Sequence, residues 1–167
     1  LQDKDVLIKA MNTNSKLLII NKNEDAISTI TNTIQNIGKI NNIAILAHGK
    51  PGSIMIGSHA IDIDELVDNQ SMVAQWQCES IQLYSCNVGQ DNDFTSLLSA
   101  LSHTPVYAST EKIGHQGLGG SWNLQHTPTP PFKISELKHY SHVLMATYYY
   151  DNNSTESTED GTTTYPY

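Results

Sequence analysis

Two short apolar runs in this 167-residue chain end in residues that could do chemistry together: Ile45-Leu46-Ala47-His48-Gly49 and Leu83-Tyr84-Ser85-Cys86-Asn87. A cysteine attacks as its thiolate, so it needs a histidine to take its proton or stabilise the anion. His48 and Cys86 are 38 positions apart, but two neighbouring parallel strands would bring them to one sheet edge. Gly49 has no side chain and would let the backbone approach a substrate carbonyl. Its N–H, with that of Cys86, could form an oxyanion hole. Against this stands a plain structural role for Cys86, because free cysteine is among the most buried residue types. The matching His48-Gly49 at a second strand end tips the balance toward a site. Cys78, in a polar turn before the strand, reads as structural. The two cysteines read as free thiols: eight extended residues span about 26 Å, whereas a disulfide holds its Cα atoms about 5.5 Å apart.

The elements that would position these groups follow from periodicity. Leu17 to Ile20 and Ile43 to Ala47 are short apolar runs of the buried-strand type. Between them Ala26, Ile27, Ile30, Ile34 and Ile37 repeat at helical spacing, with Gly38 as a C-cap. Ser53 to Ile63 reads as a hairpin around Gly57, and Asp62 or Asp64 as the cap of a helix to about Gln77. Ile81 to Ser85 is the next buried strand. A helix from Asp91 or Asp93 follows, with Phe94, Leu97, Leu98 and Leu101 on one stripe, and then a strand at Val106 to Ser109. Another strand is expected around Trp122, read as a core anchor. Alternating strands and helices predict a three-layer α/β/α sandwich with a mostly parallel sheet. Function in such sheets lies beyond the carboxyl ends of the strands, which is where His48 and Cys86 fall.

Composition narrows the classes. The formal charge is -8, from 9 basic and 17 acidic residues, and all nine basic residues are lysine. This balance excludes phosphate neutralisation on a nucleic acid and attraction to an anionic membrane. Without arginine no bidentate guanidinium clamp exists. No apolar run approaches the roughly 18 residues of a membrane-spanning helix. The domain organisation is expected as 1–126 for the α/β domain, 127–147 for a Pro-rich linker plus a C-terminal helix or strand, and 148–167 for a polar tail. The tail holds Asp151, Glu156, Glu159 and Asp160 and no lysine, so it carries half of the net charge. Its composition is that of a linker or disordered segment, or of a segment that lies on a neighbouring subunit. A chain starting at Leu1 reads as a piece processed or excised from something larger.

Four blocks in order sharpen the reading: Leu46-Ala47-His48-Gly49-x-x-Gly52-x-Ile54-x-Ile56-Gly57, Ile81-x-Leu83-Tyr84-Ser85-Cys86-Asn87-Val88-Gly89, Val106-Tyr107-Ala108-Ser109-Thr110, and Gly119-Gly120-x-Trp122-x-Leu124. The His-Gly and Ser-Cys strand ends resemble the caspase-like cysteine peptidases. The whole string resembles an uncharacterised bacterial domain near the N-termini of large, repetitive surface proteins. The resemblance implies His48 as base, Cys86 as nucleophile, and the Gly49 and Cys86 amides as oxyanion donors. Ser85, Asn87, Ser109 and Thr110 would then line the substrate pocket. It also implies an extracellular or cell-surface bacterial protein. Caspases read aspartate through arginines, and the related toxin protease domain is activated by inositol hexakisphosphate on a basic surface. A chain without arginine fits neither. Relatives that read basic residues use an acidic pocket, for which Asp91, Asp93 and Glu111 are candidates.

The expected activity is therefore a thiol endopeptidase, autoprocessing or acting on neighbouring chains, whose partner is a peptide segment of its own or an adjacent polypeptide. The rival is a catalytically inactive module of the same fold, serving assembly or adhesion as a homo-oligomer or polymer through the tail. A carbohydrate-binding role has no specific motif. No cofactor and no metal are expected. His139 and His142 are the closest to a metal-site spacing but lack a third ligand, and Asp62-x-Asp64-Glu65 reads as a helix N-terminus before a calcium loop. The glycine-rich run from Gly114 to Gly120 reads as a mobile loop over the catalytic edge. Asn152 and Asn153 begin glycosylation-type sequons.

Overall fold

The computed structural model describes residues 1–127 and 129–146, and the backbone of 149–150 and 156–157. Its centre is a parallel sheet of three strands, β1 (Asn42–Leu46), β5 (Ser80–Tyr84) and β6 (Val106–Ala108), in the order β1-β5-β6. Strands β2 (His48–Lys50), β3 (Ser53–Ile56) and β4 (His59–Ile61) form a separate antiparallel sheet. The helices are α1 (Lys4–Ala10), α2 (Ala26–Ile37), α3 (Ile63–Asp68), α4 (Gln70–Val73) and α5 (Asn92–Ser102). This is the α/β sandwich expected from the alternation of elements. No helix among the described residues is long and apolar enough to cross a membrane.

The two faces of the parallel sheet are covered differently. Side chains alternate along a strand, so Ile45, Ile81 and Leu83 point into one core, with Ile27 and Ile30 of α2, Leu66 of α3, Val73 of α4, and Phe94 and Leu98 of α5. Helix α2 begins where Asp25 accepts from the Ser28 N–H at 2.7 Å and ends at Gly38, whose φ is 84°. Trp76 lies inside this core and donates its Nε1–H to Thr31 Oγ1 at 2.9 Å. The opposite face carries Tyr84 and Cys86, packed with Leu7 and Ala10 of α1 and with Ile113, Trp122, Phe132, Leu137, Tyr140, Val143 and Leu144. Trp122 meets Phe132 and Tyr140 edge-on, at 6.1 and 5.5 Å between centroids, and so acts as the core anchor.

Several elements depart from expectation. Leu17 to Ile20 forms no strand: Leu17 and Ile19 stay about half exposed, at 50 and 51%. A four-residue apolar run specifies hydrophobicity but no partner, and among the described residues this one pairs with no strand. The helix expected from Asp62 to Gln77 divides into α3 and α4. Asn69 sits at the break and donates its amide to the Glu65 carbonyl at 2.9 Å and to Glu65 Oε1 at 2.7 Å, offering the backbone an alternative to the helix ladder. Around Trp122 only an isolated bridge from Ile113 to Ser121 forms. Residues 129–146 pack onto the second core through a 3₁₀ turn (Ile134–His139) and an extended segment. In the tail, β7 (Tyr149–Tyr150) pairs antiparallel with β8 (Glu156–Ser157). The sequons and the expected tail contact with a neighbouring subunit lie outside the described residues.

Candidate active site

Strands β1 and β5 run in register up to Leu46 opposite Tyr84, and the Ala47 N–H continues the pairing to the Tyr84 carbonyl at 3.3 Å. His48 and Cys86 each lie two residues past that last pair, so the sheet itself carries them to one edge. There β1 turns away into β2, where His48 pairs with Met55. His48 is half-buried and lines a groove that also holds Met55, Met145 and Ala146. Gly49 is buried against the Ser85–Cys86 turn. A Cβ added to it would lie 2.6 Å from Ser85 Cβ, 2.8 Å from Val88 Cγ2 and 2.9 Å from the Cys86 carbonyl. Only glycine fits, because the chain's own Ser85–Cys86 turn and Val88 pack directly against it.

Cys86 is fully buried. Its Sγ accepts the Ile113 N–H at 3.1 Å and donates to the Ile113 carbonyl at 3.5 Å. Burial pushes the thiol up to about 11, against smaller opposing effects of backbone hydrogen bonds at Ile113 and Leu144 and of Lys112. At neutral pH the thiol is therefore held in its protonated form. Cys78 is half-buried in the first core, donates its thiol to the Ser80 carbonyl at 3.2 Å and is also raised by burial. Both cysteines are free.

The two amides expected to hold an oxyanion converge on one acceptor. Gly49 N–H and Cys86 N–H both donate to the Leu144 carbonyl, at 3.0 and 3.1 Å. The rest of that segment is bound on either side. Leu144 N–H donates to the Ile113 carbonyl at 2.8 Å, His115 N–H to the His142 carbonyl at 2.8 Å, and Ala146 N–H to the Gly49 carbonyl at 3.0 Å. Residues 142–146 thus lie extended across the strand ends, antiparallel to Gly114 and parallel to Gly49. Gly114, at φ 134°, admits this passage, because a Cβ there would lie 2.6 Å from Val143 Cα. The expected loop over the catalytic edge is here a partner for residues 142–144, folded on itself by the His115 ring accepting Gly117 N–H at 3.0 Å.

The other expected residues take these places. Ser85 is buried, and its Oγ has no hydrogen-bond partner among the described residues. Asn87 holds a left-handed turn at φ 60° and donates its N–H to the Glu111 carbonyl. The Ser109 hydroxyl donates to the Glu111 carbonyl and accepts its N–H, and the exposed Thr110 accepts the Gln90 side-chain amide through its carbonyl. Asp91 caps α5, accepting the Asp93 and Phe94 N–H groups at 3.0 and 3.2 Å. Asp93 lies in the first turn of that helix.

Asp62 likewise caps α3 by accepting the Glu65 N–H at 3.0 Å, and His142 pairs with Asp3 at 3.0 Å. A group not visible in the linear spacing of the histidines lies elsewhere: His59 Nε2 is 3.0 Å from Glu65 Oε1 and 3.3 Å from Asp25 Oδ2. Leu144, Ile113 and His115 were also missed. They act at the site through backbone groups, which leave no mark on residue type.

A family model, "Domain of unknown function (DUF4347)", matches residues 1–144. The chain belongs to that family. No curated protein and no solved structure matches it. The DUF4347 match takes in His48, Gly49 and Cys86 and ends at Leu144.

Proposed function

We propose that this DUF4347 chain is a caspase-like cysteine endopeptidase domain of a bacterial surface or secreted protein, with His48 and Cys86 as its dyad. The observation that carries the reading is the convergence of the Gly49 and Cys86 amides on a single peptide carbonyl. Donors that meet at the oxygen of a scissile bond are the part of such a site that stabilises the tetrahedral intermediate, and one donor contributes about 2.7–4 kcal/mol in well-studied cases.

In the reaction, His48 takes the Cys86 proton and the sulfur bonds to the carbonyl carbon. The C–N bond breaks as His48 returns the proton to the leaving amine. Water then adds to the thioester, losing a proton through His48. The C–S bond breaks, regenerating the thiol and releasing a carboxylic acid. The buried, neutral Cys86 describes a resting state, in which the sulfur is parked on the Ile113 amide and must rotate off it before attack.

A peptidyl electrophile bearing leucine, applied to the intact chain and mapped by mass spectrometry, tests the reading. Labelling falls on Cys86 over Cys78 and is lost in His48→Ala. Labelling of Cys78 alone, or of neither cysteine in a chain that also stays uncut, overturns it. Burial of Cys86 favours a second reading, in which the dyad is inert and the fold serves assembly or adhesion. Under that reading Cys86→Ala changes the stability of the core but leaves assembly or adhesion unchanged.

A further inference from the structure

We infer that the bond presented to Cys86 is the chain's own Leu144–Met145 peptide bond, so that the C-terminal segment is a substrate in cis. This rests on the peptidase reading above and names its substrate.

The argument is one of hydrogen-bond pattern. In a regular ladder each carbonyl of a strand accepts from one facing strand, and successive groups alternate in direction. The Leu144 carbonyl receives one N–H from Gly49 of β2, as part of the parallel bridge between Gly49 and Met145, and a second from Cys86 after β5, at 3.0 and 3.1 Å. The second amide is that of Cys86, the proposed nucleophile, so the Leu144 carbonyl is bound to the backbone of the residue that would attack it.

The flanking bonds fix direction and register. On the acyl side, Leu144 N–H and the His142 carbonyl pair with Ile113 and His115. On the amine side, Ala146 N–H pairs with the Gly49 carbonyl. Met145 bridges Gly49, the residue that follows His48, and His48, Met145 and Ala146 line one groove. The Leu144 side chain is fully buried in the aromatic-rich core with Tyr84, Ile113 and Trp122. An apolar pocket of this kind selects a leucine and needs no arginine, consistent with a chain that has none.

Hydrolysis would release residues 145–167 and leave a Leu144 carboxylate held by the two amides. The cut form would thus carry its own product in the cleft.

The test is a time course of intact mass on the full chain carrying an affinity tag after Tyr167, run beside Cys86→Ala and Met145→Pro. Met145 N–H is not used by the bonds above, so proline there leaves them in place while altering the scissile amide; circular dichroism confirms that each variant is folded. The inference expects loss of residues 145–167 with a new N-terminus at Met145, and at least a hundredfold slower loss in both variants. Cleavage at another bond overturns it. So does an uncut wild-type chain whose Cys86 still takes the leucyl electrophile, which leaves the peptidase reading standing. A chain neither cut nor labelled at Cys86 overturns both.

Discussion

The two faces of the parallel sheet are built on different principles. One is covered by α2, α3, α4 and α5, whose apolar stripes repeat at helical spacing. The other is covered by α1, 3₁₀ turns and irregular or extended chain from 113–127 and 129–146, held by aromatic edges and long-range backbone bonds. The proposed chemistry belongs to the second face and its rim. A helix satisfies its own backbone and offers only side chains, whereas extended chain leaves amides and carbonyls to be met by something else. At the strand ends those groups are met by the segment 142–146.

The comparison can be broken most severely from the helical side. Trp76→Ala removes a fully buried ring and the donor to Thr31, and costs about 3–5 kcal/mol, read from chemical denaturation; a loss below about 1 kcal/mol would mean that this core is loosely packed. On the other face Leu144→Ala costs about 2–5 kcal/mol if the segment is an integral strand. A substrate lying in a cleft gives a smaller loss, so the ratio of the two values measures how far 142–146 belongs to the fold.

Gly49→Ala comes next. Its methyl meets Ser85, Val88 and Cys86, which overpacks the turn by about 1–3 kcal/mol. By displacing a proposed oxyanion donor it is expected to slow the proposed cleavage by about 10²–10³. Equal cleavage by this variant would remove the amide from the mechanism.

The Cys86 thiol gives a smaller, pH-dependent effect. Its proton is held to about 11 in the folded chain and to about 8.5 in an unfolded one. Between those values the unfolded state has lost a proton that the folded state keeps, so stability is complete below about pH 8.5 and falls as pH rises toward 11. Denaturation of the wild type and of Cys86→Ala across that window diverges with this sign; parallel curves would show that the thiol is not buried in solution.

The smallest change is at the helix cap. Asp25→Ala costs about 1 kcal/mol. The Asp25 carboxyl is held below its usual range, chiefly by the Ser28 backbone N–H and more weakly by the Ser28 hydroxyl and His59, against partial burial. Its contribution is therefore present above about pH 4 and lost as pH falls through the lowered value. Asp25→Asn, which retains a capping oxygen, loses this acid dependence while keeping most of the stability.

Much of the helical face was legible. Ile27, Ile30 and Ile34, and Phe94 and Leu98, mark their helices by spacing alone, and the apolar runs at β1 and β5 mark strands by length. The strand ends at His48 and Cys86 were legible too, because reactive residue types follow directly on those runs. Leu17 to Ile20 was misread because an apolar run does not say what it packs on. Asn69 divided a helix that periodicity carried through, by a side-chain bond to Glu65. Asp25, His59 and Glu65 come together only because a hairpin returns beside two helix starts.

By itself the sequence determined which residues could react, which faces are apolar and which chemistry the absence of arginine forbids, since these depend on side-chain type and local period. Only the tertiary structure decided that Cys86 rests as a buried, neutral thiol, and that Gly49 and Cys86 share the Leu144 carbonyl. The reason is physical: burial and backbone hydrogen bonds are made by whatever the chain brings close, and every residue carries the same carbonyl whatever its side chain.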